Sequence, residues 1–81
     1  MRVKREIRRF IERDLLAETP PRRDPLAEGL LDSLAIEELL LFLEKRFGVS
    51  FRDEEMTQER FSSLDAVADL VEGKRRLARR R

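Results

Sequence analysis

The chain has no cysteine, no histidine, no tryptophan and no tyrosine. Without cysteine there is no disulfide framework, and a reducing compartment is open to it. Without cysteine and histidine, the commonest nucleophile, general base and soft metal ligands are missing. Glycine is scarce too: positions 29, 48 and 73 are too scattered to build a phosphate-cradling loop. No apolar run approaches the length of a membrane span, and the amino-terminal stretch lacks the apolar region of a secretory signal. A cytoplasmic setting is the expectation. Carboxylates remain for acid–base work, but 81 residues of this pattern leave little room for a concave substrate pocket. The composition argues against a self-sufficient enzyme, and a non-catalytic subunit is expected.

What the chain has in abundance is charge. Ionised residues make up 43% of it and apolar residues 41%, enough for one small domain with a single core and a charged surface. The formal net charge of +1 conceals an asymmetry. Residues 24–72 hold 13 acids against 4 bases, a net −9, while residues 1–23 carry +4 and residues 73–81 carry +6. An acidic body calls for partners with basic docking patches.

The body is organised around residues 29–48. Ser33 to Phe47 has the pattern of a helix, with Asp32 placed to cap its first free N–H groups. Gly48 stands where a helix commonly ends in a left-handed residue, and Lys45 and Arg46 suit the negative end of the dipole. At about 100° per residue, Ile36, Leu39, Leu40, Leu43 and Phe47 share one face, the expected core side. Ser33, Glu37 and Glu44 fall within roughly 40° of one another on the other side. Leu34 and Leu41 lie outside the core arc, between that acidic stripe and Glu38. Alone, Asp32-Ser33 is an ordinary capping pair. An apolar pair bracketed by carboxylates beside a helix-terminal serine instead suggests a docking surface. The positive helix end also suits a phosphate ester on that serine.

Around this centre the other elements follow in order. Val3, Ile7, Phe10, Ile11 and Leu15 repeat at helical spacing, predicting a first helix from Arg2 to about Ala17. Thr19-Pro20-Pro21 stops it. A long connection follows, with Leu26, Leu30 and Leu31 available to pin it across the helices. Val49 and Phe51 alternate too briefly for a strand, and a short helical turn is expected around Thr57 to Phe61. Ser62 is placed to cap a last helix buried through Leu64, Val67, Ala68 and Val71, with Asp65 completing a weak capping box. Gly73 is its expected end, although Leu77 and Ala78 are able to prolong it.

The string Gly29-Leu30-Leu31-Asp32-Ser33-Leu34 resembles the phosphopantetheine attachment motif of acyl and peptidyl carrier proteins. The elements that follow, through Phe47-Gly48-Val49 to Phe61-Ser62-Ser63-Leu64-Asp65-Ala66-Val67, are similar to those carriers over most of the chain. The segment Glu55-Met56-Thr57-Gln58-Glu59-Arg60-Phe61 adds a likeness to the stand-alone D-alanyl and aminoacyl carriers. The resemblance implies an all-α fold: a small four-helix bundle of three longer helices and one short one, with a long first loop. A carrier domain is expected over residues 1–73, and the six positive charges of residues 74–81 predict a basic tail that is partly disordered by repulsion and dispensable for the fold.

The same resemblance implies 4'-phosphopantetheine carried covalently on Ser33, with Asp32 orienting the serine or the coenzyme during transfer. Leu34, Glu37, Glu38, Leu41 and Glu44 would form the docking helix. The implied partners are a phosphopantetheinyl transferase, an ATP-dependent adenylating ligase and a downstream acyl-accepting enzyme, meeting a monomeric carrier. Glu37 stands where related carriers usually have an apolar residue, which points to small amino or short acyl cargo. The competing class is a helical nucleic-acid-binding module using the basic ends, and a third is an adaptor that has lost modification. The acidic body counts against a nucleic-acid partner, and the retained Asp32-Ser33 pair counts against the adaptor.

Overall fold

The computed structural model describes residues 2–18, 23–57 and 59–79, residues 78 and 79 by backbone alone. Helix α1, Arg2–Phe10, buries Val3 and Ile7, and the stripe continues into the fully buried Ile11. At Ile11 the winding changes to a single π-helical turn, Ile11–Leu15, closed by the Leu16 N–H donating to the Ile11 carbonyl at 2.8 Å. The reason is geometric. Residues spaced by four drift off a face in an α-helix, because four residues overshoot one turn. A wider turn cancels that drift and keeps Leu15 packed against the same core as Ile11. The expected stop at Thr19 to Pro21 lies outside the described residues.

Helix α2, Ser33–Phe47, has the expected bounds. Asp32 is extended at its start, and its Oδ1 accepts the Ala35 N–H at 2.8 Å. Gly48 is left-handed at φ +67° and returns its N–H to the Glu44 carbonyl at 3.0 Å. Leu39, Leu40 and Leu43 are buried, with Ile36 and Phe47 half-buried beside them.

The described residues are all-helical, as expected. They hold three α-helices, the π-helical turn that extends α1 and one short 3-10 turn, with no strand. The turn, Asp53–Glu55, lies ahead of the expected position at Thr57 to Phe61. Its acids explain the placement: the Glu55 carboxylate accepts the Arg52 N–H at 2.9 Å, satisfying a donor at the turn's own start. At the expected position the chain makes turn bonds and no helix: the Phe61 N–H donates to the Thr57 carbonyl and the Arg60 N–H to Thr57 Oγ1, each at 3.2 Å, and Phe61 is buried in the core.

Helix α3, Leu64–Arg79, departs from expectation at both ends. Its cap is Ser63 and not Ser62. Ser63 Oγ accepts the Ala66 N–H at 3.0 Å, whereas the Ser62 hydroxyl donates backward to the Glu59 carbonyl at 2.8 Å and closes the preceding turn. Asp65 completes no capping box; its carboxylate meets Lys4 Nζ at 2.8 Å. At the other end the helix runs through Gly73, so the expected boundary between residues 73 and 74 falls inside it. Lys74 Nζ donates to Glu55 Oε1 at 2.7 Å and lies 5.2 Å from the centre of the Phe51 ring. The Arg75 guanidinium stacks over Phe47 at 5.4 Å. These contacts outweigh the backbone entropy that a glycine brings to a helix interior. Lys74 and Arg75 therefore belong to the body, and a truncation at residue 73 removes packing along with charge.

A residue missed in the sequence holds the first loop. Both carboxylate oxygens of Asp24 accept the Leu64 N–H at the start of α3, each at 3.2 Å, and Oδ1 also accepts the Ala27 N–H at 3.1 Å. Pro25 and Leu26 are buried next to it, and Gly29 turns the chain at φ +68° towards Asp32.

Two measurements check this architecture. A Cβ added at Gly73 meets nothing within 4 Å and the residue is helical, so Gly73→Ala should raise stability by about 0.5–1 kcal/mol in urea unfolding. A helix ending at Gly73 in a left-handed residue would lose stability instead. The Glu55 carboxyl is held below its ordinary pKa by the Lys74 hydrogen bond first and the Arg52 N–H second. A carboxylate with a lowered folded pKa stabilises above its unfolded pKa and loses that contribution as pH falls through the folded value. Lys74→Met should therefore cost up to about 1 kcal/mol at neutral pH. The difference from wild type should shrink as pH drops below the ordinary glutamate range. A gap independent of pH would show that Lys74 acts only through the Phe51 ring.

Candidate functional site

The site is built from the end of the first loop and the start of α2. Because Asp24 and the buried Pro25 and Leu26 hold the loop, the segment through Gly29 delivers Asp32 and Ser33 to an exposed position. Ser33 is the first helical residue, with its side chain open to solvent. Asp32 takes the Ala35 N–H with its carboxylate and the Ile36 N–H with its carbonyl, at 2.8 and 2.9 Å. The N–H groups of Ser33 and Leu34 have no acceptor among the described residues. Two free donors and the positive helix end thus surround the serine hydroxyl. That arrangement suits an attached phosphate diester.

Beside Ser33 lies an open groove of about 950 Å³. Leu26, Leu31, Ile36, Leu40 and Phe61 supply its apolar lining, and Glu37 and Glu59 add carboxylates to it. Glu59 was not singled out in the sequence; only the fold of the 56–62 segment over the loop brings it here. No group of three or more potential metal ligands occurs among the described residues. No described helix is long and apolar enough to cross a membrane.

The expected docking residues separate into three places. Leu34 and Leu41 are 64% and 60% exposed, and Glu38 is exposed on the same outer side of α2. Glu37 lines the groove. Glu44 does not present a free carboxylate: it is half-buried, and its Oε2 accepts the Phe51 N–H at 3.2 Å, holding the chain that leaves Gly48. Spacing puts Glu44 near Ser33 and Glu37 around the helix, but its bond partner lies seven residues on and depends on how the chain turns at Gly48.

No family model matches the chain, and no curated protein matches it.

Two large apolar side chains on an open helix face carry little folding free energy. Leu41→Ala should change stability by less than about 0.5 kcal/mol, against about 2–5 kcal/mol for truncating a buried leucine. Leu43→Ala, at a fully buried position of the same helix, is the internal reference. Equal losses at the two positions would show that Leu41 is covered in solution.

Proposed function

We propose that the chain is a carrier protein that holds an acyl or aminoacyl group as a thioester on a 4'-phosphopantetheine arm attached to Ser33. The observation that carries this reading is Ser33 itself: an exposed hydroxyl on the first residue of α2, behind the Asp32 cap, within Gly29-Leu30-Leu31-Asp32-Ser33-Leu34. The residues present fit such a group. The hydroxyl is accessible, the neighbouring amides of Ser33 and Leu34 are free to meet a phosphate, and the adjoining groove gives an arm a surface to lie along. When bound, the arm supplies a terminal thiol for the thioester.

The roles of this chain's own residues follow from their positions. Ser33 Oγ loses its proton and forms the bond to phosphorus as the nucleotide part of coenzyme A leaves, in a reaction run by a phosphopantetheinyl transferase. Asp32 fixes the helix start and orients the serine. Leu34 and Leu41 offer apolar contact with Glu38 beside them, for a transferase, an ATP-dependent adenylating ligase and a downstream acyl-accepting enzyme with basic docking patches. The chain acts as a monomeric, non-catalytic subunit of the cytoplasm. Glu37 and Glu59 make the groove poorly suited to a long apolar chain, because an acyl group there would desolvate carboxylates. Small amino or short acyl cargo is therefore favoured.

Intact mass after incubation with coenzyme A and a broad-specificity transferase tests the reading. One phosphopantetheine should be added, and peptide mapping should place it on Ser33. Ser33→Ala should remain folded, since losing one exposed hydroxyl changes stability by less than about 0.5 kcal/mol, and should accept nothing. An unmodified chain beside a modified positive control would remove the carrier role.

A further inference from the structure

The basic residues of the amino-terminal stretch are gathered by the fold onto one face of the first helical stretch. Arg2, Arg5, Arg9 and Arg13 recur at intervals of three and four, all exposed, and line one cleft together with Arg46 of α2. The ridge runs about 16 Å along the first helical stretch. None of these four has an ion-pair partner among the described residues. The cleft also holds Asp14 and Glu6, and Glu6 is spent on Arg46 Nε at 2.6 Å. Behind the arginines runs a row of rings: Phe10 stacks on Phe42 at 4.1 Å, and Phe42 meets Phe47 edge-on at 6.3 Å. Arg46 and Arg75 both stack over Phe47, at 5.5 and 5.4 Å. Arg75 of α3 thereby shares a ring with Arg46, which lines the cleft.

We propose that this face binds the phosphate backbone of a nucleic acid, independently of the carrier reading. Arginine is the residue suited to phosphate, since its planar fork donates two parallel hydrogen bonds and stays charged. A linear ridge of like charges with no internal partners matches a polymer of regularly spaced anions. The face lacks the exposed apolar anchors that a protein interface centres on. Among the described residues, the exposed large apolar ones are Leu34, Leu41, Met56 and Leu77, and none of them lines this cleft. Protein interfaces centre on buried apolar anchors, whereas backbone-binding surfaces are polar and basic. The acidic body does not oppose such binding locally, because Glu37 and Glu38 sit at the groove and outer side of α2 and outside this cleft. Such contacts read charge and not sequence.

Fluorescence anisotropy with a labelled DNA duplex of about 20 base pairs, titrated with the full chain at rising NaCl, tests this. Four arginine–phosphate contacts predict a log–log salt slope near −3.6, so that affinity falls about a hundredfold between roughly 50 and 200 mM. Arg5→Gln/Arg9→Gln should flatten the slope by about 2, and Arg5→Lys/Arg9→Lys should restore it. Lys45→Gln/Arg60→Gln removes the same charge from exposed positions outside the cleft and should leave the slope unchanged. The proposal is overturned if wild type shows no salt-sensitive binding, or if both glutamine pairs weaken it equally. It is also overturned if polyglutamate of matched charge displaces the duplex as well as unlabelled duplex does.

Discussion

The carboxylate of Asp24 is the constraint on which the arrangement of this small domain depends. A connection as long as the one between the first helical stretch and α2 carries a large ordering cost, and short helices alone do not repay it. Asp24 answers that with three acceptor contacts: two to the Leu64 N–H at the start of α3 and one to Ala27 inside its own turn. A charged acceptor at a helix start is among the stronger single hydrogen-bonding arrangements a surface can offer. It ties the first loop to the last helix across 40 residues of sequence. With that tie in place, Pro25 and Leu26 are buried and Gly29 turns the chain outward. Ser33 is then presented at the lip of a groove and not folded beneath the loop.

The second organising feature is the way charge is paired or left unpaired. Among the described residues, Glu55 with Lys74 is the most enclosed ion pair, its side chains 16% and 18% exposed, and it locks the 3-10 turn onto α3. Glu44 is used on the backbone N–H of Phe51. Both hold the segment that closes one wall of the Ser33 groove. The arginines of α1 are not used in this way. Neighbours that take part in folding, such as Lys4 with Asp65 and Arg46 with Glu6, are paired, while Arg2, Arg5, Arg9 and Arg13 stand free of ion pairs among the described residues. Unpaired like charges on a fixed face repel one another, a cost to the fold that salt screens.

Local signals made much of the fold legible in the sequence. Helix α2 was readable at both ends, because Asp32 and Gly48 act within four residues of their own positions. Its buried side followed from spacing alone, as did the exposure of Leu34 and Leu41. The core stripes of α1 and α3 were equally plain. The choice between Ser62 and Ser63 as cap was not, since adjacent serines are equivalent until the preceding turn claims one hydroxyl. The short turn was misplaced for a similar reason: three consecutive acids formed their own one-turn structure ahead of Thr57.

By itself, then, the sequence determined whatever depends on neighbours within one or two helical turns: helix α2 and its caps, the apolar stripes, the exposed serine and the outer leucines. Tertiary structure alone decided what depends on residues distant along the chain. Asp24 became a cap for α3, and Glu44 a backbone anchor at the turn after Gly48. Glu59 became a groove residue, and Gly73 an interior helical position because Lys74 and Arg75 found Glu55, Phe51 and Phe47. The physical reason is the same throughout. Periodicity and capping act through bonds that close within a few residues, whereas a carboxylate or a guanidinium takes its role from whichever partner the packed helices bring within about 3–6 Å.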